Sequence, residues 1–318
     1  MRKGPAETRG THRTRVLAQA WAAVVRRDDK RSGATTEASL VLASVFWGSN
    51  YAATKFAALS VPPLSIVALR FAIAGLLMYA VLRVLEPKSR LRREDLLPMA
   101  GLGCLGVAVG QTAFTFGLSL TTAANAGLIF ATAPVWGLLL GLALGLERPT
   151  LTGTLGLGLS IAGIGIVFRE GLEADGAGLA GNLSVLLAAV GFGAYTVLSM
   201  RTLGRYSPLA VATYPTLFGA PVVLVVSVPV LLGTRWEGVE AGAWVAVAFS
   251  AVFATAFAFA AWQRGVSRIG ANRVLVYQYL ITLTGVASGV VFFGEDLSAS
   301  KIAGGAVIFL GVYLARRR

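Results

Sequence analysis

Apolar residues run along most of this chain in long stretches that are separated by short polar segments. Each stretch approaches the roughly 20 residues that an α-helix needs to cross the hydrocarbon core of a bilayer. Several connections between stretches are very short, which indicates tight antiparallel helix pairs. The pattern predicts ten transmembrane helices, at 37–59, 64–85, 96–118, 123–146, 151–168, 180–200, 208–232, 242–263, 271–293 and 300–315.

The composition also favours an integral membrane protein. Of 318 residues, 56% are apolar and 14% are charged, whereas soluble domains carry about 25% charged residues. An ordinary soluble enzyme is therefore excluded, and so is a disordered chain. The single cysteine excludes an internal disulfide, and the single histidine, His12, lies in a polar tail. No phosphate-binding, zinc or nucleophile motif lies in a suitable context. We expect no catalytic residue, no metal and no cofactor.

The basic residues predict how the chain is oriented. The net charge of +13 is distributed between apolar stretches, so it does not indicate nucleic-acid binding. If the N-terminus is cytoplasmic, the outer loops hold only Arg169, Arg235 and Lys301 as basic residues. Because cytoplasmic loops carry the excess of Lys and Arg, we expect both termini inside. The Arg- and Ala-rich composition indicates a bacterial protein, so we expect it in the inner membrane.

The second half of the chain repeats the first. Matching residues recur at nearly constant offsets. They include Gly137 with Gly285 and Glu147 with Glu295, both 148 apart (285 − 137 = 148), and Trp47 with Phe192, 145 apart (192 − 47 = 145). Since each half holds five helices, an odd number, the two halves must be inverted across the membrane. Inverted repeats are typical of alternating-access transporters.

This organisation divides the chain into five units. The N-terminal tail is either an amphipathic helix on the membrane surface or unstructured. The predicted units are a basic cytoplasmic tail at 1–36, a first repeat at 37–168, an extracytoplasmic linker at 169–179, a second repeat at 180–315 and a basic cytoplasmic tail at 316–318.

Short motifs in order along these helices resemble a known family, the EamA family of the drug/metabolite transporter superfamily. The motifs are Trp47-Gly48-Ser49-Asn50-Tyr51, Pro63 with Arg70, Ala133-Pro134-Val135 and Glu147-Arg148-Pro149-Thr150. The resemblance implies ten helices in an inverted five-plus-five fold and transport of small metabolites, often export. The second half departs from the pattern with Thr282 at the position of Pro134, which predicts a softer break in the ninth helix.

Polar residues inside the spans are the candidate substrate ligands, because each is costly unless it faces protein or water. Lys55 and Arg70 would make an electropositive outer vestibule for a carboxylate or phosphate. The alternatives are that Lys55 snorkels to the interface and that Arg70 caps neighbouring carbonyls. The other candidates can bind an amino-acid-like or heteroaromatic solute, or form interhelical hydrogen bonds. They are Trp47, Asn50, Gln111, Trp136, Tyr195, Tyr277 and Gln278.

A second group of residues is expected to serve the structure or the gating. Pro134 predicts a kink in the fourth helix. Gly137 and Gly285 predict close helix packing or sliding, with dimer contacts as the alternative. Glu147 and Glu295 are expected to accept from the free N–H groups that open the fifth and tenth helices. No Asp or Glu lies deep in a span, which favours facilitated export or coupling without a buried acid.

These features predict a secondary transporter of small organic solutes that works by alternating access. The first alternative is an integral-membrane enzyme or a lipid-handling protein, which would need a polar catalytic cluster near an interface. The second is a membrane sensor, which would need an appended signalling domain. The expected partners are a small-molecule solute and membrane lipids, without nucleic acid. The sequence leaves a monomer and a homodimer equally open.

Overall fold

The computed structural model describes residues 32–146, 150–173 and 176–316, and these residues contain helices and no strand. Ten helical segments follow one another along them. They are α1 (Ser32–Ala57), α2 (Pro63–Leu85), α3 (Arg93–Leu120), α4 (Ala123–Ala143), α5 (Leu151–Glu173), α6 (Gly176–Leu203), α7 (Pro208–Gly233), α8 (Ala241–Ile269), α9 (Leu275–Phe293, preceded by the short turn Ala271–Val274) and α10 (Ala299–Arg316).

Seven of these segments, within the described part of the chain, are long and apolar enough to cross a membrane. In α5 and α10 the apolar parts are shorter, Leu151–Val167 and Ala299–Leu314. The α1 segment is not among the seven, and it carries Glu37 and Lys55 together with several small polar residues. The protein is therefore an all-helical, multi-pass membrane protein, as the sequence predicts. Ten spans remain a prediction.

Consecutive helices run antiparallel, so their connections gather at two ends of the bundle. We call one the basic end; it holds the start of α1 and the connections 86–92, 204–207 and 270. The other is the opposite end, with the connections 58–62, 121–122, 234–240 and 294–298. Contacts across the bundle agree with this arrangement, since Ser207 bonds Glu86 at the basic end and Lys55 pairs with Glu295 at the opposite end.

Some predicted boundaries differ from the structure. Most of the predicted linker at 169–179 is helical, because α5 continues to Glu173 and α6 already begins at Gly176. Glu147 and most of the N-terminal tail lie outside the described residues, as do the last two residues of the chain. The expectations for an amphipathic tail helix and for a cap by Glu147 therefore stay predictions.

Helix α4 is interrupted where the sequence predicts a kink. Its first part ends at Phe130 and its second part begins at Ala133, with Pro134 in the first turn of the second part. Proline lacks a backbone N–H and clashes with the preceding turn, so it fits best at the start of a helical segment. In α9 the helix is continuous through Thr282, whose hydroxyl instead donates to the carbonyl of Gly127 in α4 at 3.1 Å.

Two π-helical turns occupy matching positions in the two halves. One covers Cys104–Val109 in α3 and the other covers Val252–Phe257 in α8. Their starts are 148 residues apart (252 − 104 = 148), and each is 6 residues long. A π turn is rare and is found often at functional sites. The second π turn follows the first at the same offset of 148 residues as the sequence repeat, so the repeat is visible in the structure as well.

The helices of the two halves also pack in matching pairs. Helix α1 packs against α8 and α9, and α6 packs against α3 and α4. A Cβ on Gly48 of α1 would lie 2.9 Å from the nitrogen of Gly285 in α9, and one on Gly193 of α6 would lie 2.8 Å from the nitrogen of Gly137 in α4. Both crossings therefore need glycine. Gly137 and Gly285 lie at these two crossings, and their predicted role in helix packing or sliding stays a prediction.

Candidate functional site

Five large aromatic side chains pack together in the middle of the bundle. We call Trp47, Phe192, Tyr195, Phe259 and Trp262 the aromatic core. The ring centres of Trp47 and Trp262 are 5.1 Å apart, and those of Trp47 and Phe192 are 5.5 Å apart. The rings come from α1, α6 and α8, so both halves contribute. Trp47 and Tyr195, two predicted substrate ligands, are thus brought together by the fold.

Each half places one of these aromatic residues against the π turn of the other half. The indole nitrogen of Trp47 donates to the carbonyl of Ala254 at 2.6 Å. The ring of Tyr195 covers Gly106, where a Cβ would lie 2.7 Å from a ring carbon. Ala254 and Gly106 are equivalent positions of the two π turns, since 254 − 106 = 148. A π turn disrupts the regular hydrogen bonds within its helix, so backbone carbonyls in the turn can accept hydrogen bonds from side chains of other helices.

A cavity of about 330 Å³ opens at the basic end, between the halves. Its walls belong to α1, α7 and α8 and to the residue after α2, and they include Glu86, Phe257, Ala261 and Arg264. Two residues that line the cavity, Phe257 and Ala261, pack in one cluster with Trp47 of the aromatic core. Its volume lies near the lower limit of small-molecule sites, which span about 300–1,000 Å³.

A second cavity, of about 420 Å³, lies beside the first at the basic end. It is lined by two loops that hydrogen bonds tie together. The Tyr206 hydroxyl donates to Asp95 at 2.7 Å and accepts from the backbone nitrogen of Arg92 at 3.1 Å. Burial, followed by the hydrogen bond to Asp95, raises the pKa of the Tyr206 phenol above its ordinary value. The phenol therefore stays protonated and keeps donating.

Arg70 and Gln111, both predicted ligands, bond each other inside the bundle. The Arg70 side chain is 1% exposed, and its guanidinium donates to the Gln111 side-chain oxygen and, at 3.4 Å, to the hydroxyl of Ser250. Both partners are neutral, and the Arg70 Nε has no partner among the described residues. A charge buried in this way is costly, and within membranes such residues mark substrate pathways.

Lys55 takes part in closing the opposite end. Its ammonium pairs with Glu295, and it lies over the ring of Phe293 at 5.3 Å. The Glu295 carboxylate also accepts from the backbone nitrogens of Ala123 and Ala124, at 2.9 and 3.0 Å. One carboxylate thereby joins the ends of α1 and α9 to the start of α4. The charge of Lys55 is neutralised here, so Lys55 does not supply a free cation to a vestibule.

The expected cap of α10 by Glu295 is wrong. Helix α9 ends at Gly294, whose φ of +61° turns the chain back and directs the carboxylate toward α4. A Cβ on Gly289 would lie 2.6 Å from that carboxylate, so glycine leaves the space that it fills. Helix α10 is capped instead by Ser298, whose hydroxyl accepts from the backbone nitrogen of Lys301 at 3.2 Å.

The surroundings of Glu295 favour its ionised form. Burial by itself would raise the pKa of this carboxyl group. The hydrogen bond and charge of Lys55, with the two backbone donors of α4, outweigh that penalty and lower the pKa of Glu295 below its ordinary value of 4.5. Charge-assisted hydrogen bonds are about twice as strong as neutral ones. The closure is therefore an ionic contact at neutral pH.

The remaining predicted ligands lie in different settings. Asn50 and Gln278 are buried, and within the described structure the Asn50 Oδ1 and both terminal atoms of Gln278 have no hydrogen-bond partner. Such atoms are available to a bound solute. Trp136 donates to the side chain four residues earlier in its own helix, and Tyr277 lies near Glu37 at the basic end.

Sequence reasoning missed several residues of this region. Phe192 was detectable, because the repeat superimposes it on Trp47. Ser250, Glu86 and Arg264 gave no such signal. A serine in an apolar span is common, and arginines at helix ends follow the topology pattern. Only the folded arrangement shows that two of these charged residues line one cavity.

Comparison with known proteins agrees with this architecture. The EamA-like transporter family matches residues 35–169 and again residues 179–317, one match for each half. An uncharacterized transporter of Archaeoglobus fulgidus is 25% identical, over 88% of this chain and 98% of that protein. A probable terminal-alkyne amino-acid exporter of Streptantibioticus cattleyicolor is 28% identical, over 88% and 93%. A probable amino-acid metabolite efflux pump of Salmonella typhimurium is 24% identical, over 86% and 92%.

A solved structure shares the fold. It superposes with a TM-score of 0.60 at 21% identity, and the match covers 89% of this chain and 97% of that one. Together with the apolar helices, these matches make the protein a multi-pass membrane transporter of small molecules rather than an enzyme. The earlier resemblance is confirmed, since the two matches span nearly all of the chain beyond its N-terminal tail: the chain belongs to the EamA-like transporter family.

Proposed function

We propose that the protein exports amino-acid-like or related small metabolites by alternating access between two inverted five-helix halves. One contrast supports the proposal: a cavity lies at the basic end, whereas a buried carboxylate joins three helices at the opposite end. The cavity beside Trp47 opens at the basic end, whereas Glu295 closes the opposite end. Alternating access requires a site that is open to one side at a time.

The matching contacts of the two halves support inversion. The π turns, the α1–α9 and α6–α4 crossings and the two family matches each occur once per half. Five helices in each half place equivalent ends on opposite membrane faces. We therefore propose that the two halves exchange roles when the transporter turns over, with one end opening as the other closes.

Export follows from the orientation that we propose. The positive-inside rule assigns the basic end to the cytoplasm, so the cavity receives solute from inside. Two relatives carry names that describe the export of amino acids or their metabolites. Arg70, a buried cation with neutral partners, is a candidate ligand for a substrate carboxylate beyond the aromatic core.

Reconstituted protein tests the transport function. Proteoliposomes preloaded with a mixture of unlabelled amino acids should accumulate a labelled amino acid by counterflow, and empty liposomes should not. Replacing Trp47 by Ala removes a ring of the aromatic core that packs against the cavity residues Phe257 and Ala261, and we expect at least a tenfold loss of counterflow. Replacing the lipid-facing Leu76, which is 71% exposed, by Ala is the matched control. No counterflow with any solute in the mixture would refute the proposal.

Cysteine labelling tests the orientation. The native Cys104 is exposed and is first replaced by Ser. Single cysteines then replace Arg201 at the basic end and Arg235 at the opposite end, which are both exposed. An impermeant thiol reagent applied to intact cells should label only the second of these. Labelling of the cysteine at Arg201 alone would place the basic end outside the cell and would contradict the proposed direction of transport.

A further inference from the structure

We infer that the second cavity at the basic end, of about 420 Å³, binds the headgroup of an anionic phospholipid. Its lining residues come from the loop 86–92 of the first half and the loop 204–207 of the second half. The inference does not rest on the proposed function, because it concerns a lipid of the surrounding membrane and not the transported solute. A lipid bound there would contact both halves of the bundle.

The charged residues that line this cavity are mainly basic. Four are basic and one is acidic, namely Lys88, Arg90, Arg92, Arg205 and Glu86. Two further acidic residues lie behind the lining and offset part of this charge. Arg92 lies 3.3 Å from Glu94, and Arg205 lies 2.9 Å from Asp95. Arg83 adds a further positive charge, since its guanidinium donates to the backbone oxygen of Ser89 in the same loop at 2.8 Å.

Lys88 and Arg90 are the two basic residues of the lining that no acidic side chain of the described structure pairs with. Both are exposed. The acidic residue of the lining, Glu86, accepts from the Ser207 hydroxyl at 2.6 Å. A phosphodiester is suited to the two cations, because arginine and lysine are the side chains that commonly bind phosphate oxygens.

The neighbouring helix ends favour a lipid over a free anion. Val84 lies in α2 just before the loop 86–92, and Leu97 lies in α3 just after it. Both are exposed, Leu97 to 82%. Exposed apolar side chains at the end of a membrane-spanning bundle are suited to acyl chains. Basic pockets between transmembrane helices are also a known type of site for anionic headgroups.

The cavity is formed before any ligand binds. The Tyr206 hydroxyl bonds both Asp95 and the backbone nitrogen of Arg92, and these bonds hold the two loops together. Binding therefore requires little ordering of the loops, which would otherwise weaken the affinity. The volume also falls within the range of about 300–1,000 Å³ that is usual for small-molecule sites.

Native mass spectrometry of the detergent-purified protein tests this inference. Phosphatidylglycerol, whose headgroup is anionic, and phosphatidylcholine, whose headgroup is zwitterionic, are titrated separately with identical acyl chains. For the first bound lipid we expect an affinity at least tenfold higher for phosphatidylglycerol, because each nearby basic residue contributes roughly fivefold to the binding of an anionic lipid. Equal affinities for the two lipids would overturn the inference.

Two double variants assign the site. Lys88→Gln with Arg90→Gln should remove most of the preference for phosphatidylglycerol, a loss of about tenfold or more. The matched control is Arg93→Gln with Arg201→Gln, which removes two exposed arginines at the same end that line neither cavity. The control should keep the wild-type preference. An equal loss in both double variants would overturn the site, because general positive charge at this end would then explain the binding.

Two further measurements complete the test. Inorganic phosphate and glycerol 3-phosphate in large excess should not displace the bound lipid; displacement would assign the cavity to soluble phosphate compounds and overturn the inference. If the first double variant fails to fold, a photoreactive phosphatidylglycerol is crosslinked to the wild-type protein instead. Crosslinked peptides should include residues 86–92 or 204–207, and crosslinks confined to other segments would overturn the inference. Failure of the counterflow assay would refute the proposed function without affecting any of these results.

Discussion

The two ends of the bundle differ in how charge is used. At the opposite end, the Glu295 side chain is nearly buried. Its carboxylate forms an ion pair with Lys55 and accepts hydrogen bonds from the backbone at the start of α4. At the basic end, Glu86 and Arg264 line an open cavity. One end thus uses an ion pair to hold helices together, and the other places charged side chains around a cavity.

In the proposed cycle, this arrangement corresponds to the state that is open to the basic end. Between the ends, the indole of Trp47 in the aromatic core donates to the π turn of α8, and Arg70 donates to Ser250 of the same helix. Opening the opposite end requires breaking the Glu295 contacts, since they join the two halves. The closure is therefore the place where a single substitution should change the balance of states most.

Glu295→Ala is expected to have the largest effect. It leaves the Lys55 ammonium without its carboxylate and removes the acceptor for two backbone donors of α4. Breaking a buried ion pair costs about 3–5 kcal/mol, less where water reaches one partner, and a lost helix cap adds about 1 kcal/mol. We expect a loss of about 3 kcal/mol, measured by thermal unfolding in detergent.

The same variant should expose the interior from the opposite end. A cysteine at Asn50, in the Cys104→Ser background, should react faster with an impermeant thiol reagent added from that side when Glu295 is also changed. Glu240→Ala is the control, because Glu240 is an exposed carboxylate at the same end. Equal reaction rates in the Asn50→Cys protein, in its Glu295→Ala variant and in its Glu240→Ala variant would show that Glu295 does not hold this end closed.

Gly289→Ala should weaken the same closure by a steric route. The added Cβ would lie 2.6 Å from the Glu295 carboxylate and 2.9 Å from the Cβ of Ala123. Overpacking of this kind costs about 1–3 kcal/mol. Gly158→Ala is the control, since nothing lies within 4 Å of that position, and there alanine should stabilise the helix by up to about 1 kcal/mol. Equal melting temperatures would contradict the packing argument.

The sequence predicts the helices and the repeat better than it predicts the contacts. Hydropathy and charge determine where spans lie and how they are oriented, and Pro134 marks the break in α4. The partner of Glu295 could not be inferred, because the turn at Gly294 decides whether the carboxylate reaches α10 or α4. Likewise, Lys55 looks like a substrate ligand until its ion pair is seen.

Charged residues at helix ends illustrate the same limit. Arg264 follows the topology pattern in the same way as Arg201 and Arg268, and Glu86 is an acidic residue at a helix end, so nothing in the sequence shows that Glu86, Arg264 and Arg268 line one cavity. Their common cavity depends on where four distant chain segments meet. Pairwise contacts across such distances follow from packing, and the period of hydrophobic residues carries no information about them.

Tyr206→Phe should have a smaller effect, confined to the basic end. It removes the donor to Asp95 and the acceptor for the Arg92 backbone, while Asp95 keeps its ion pair with Arg205. A single net hydrogen bond contributes about 1 kcal/mol. Hydrogen exchange should speed up in the loop that precedes α3 and stay unchanged around Glu295. Tyr79→Phe, at an exposed tyrosine, is the control; faster exchange at both ends would show that the ends are not independent.

The smallest change is expected from mild acidification. Because the pKa of Glu295 is lowered in the folded protein, its contribution to stability is complete above the ordinary value of 4.5 and is lost only as pH falls through the lower folded-state pKa. The rate of thiol labelling at Asn50→Cys, divided by the rate at the exposed Arg235→Cys so that the change in thiolate fraction cancels, should therefore stay constant from about pH 7 to pH 5 and rise only below that range. Opening near pH 6 would mean that Glu295 binds a proton within the physiological range. A relative labelling rate that stays constant from about pH 7 to pH 5 would instead mean that any proton coupling in this range acts through groups other than Glu295.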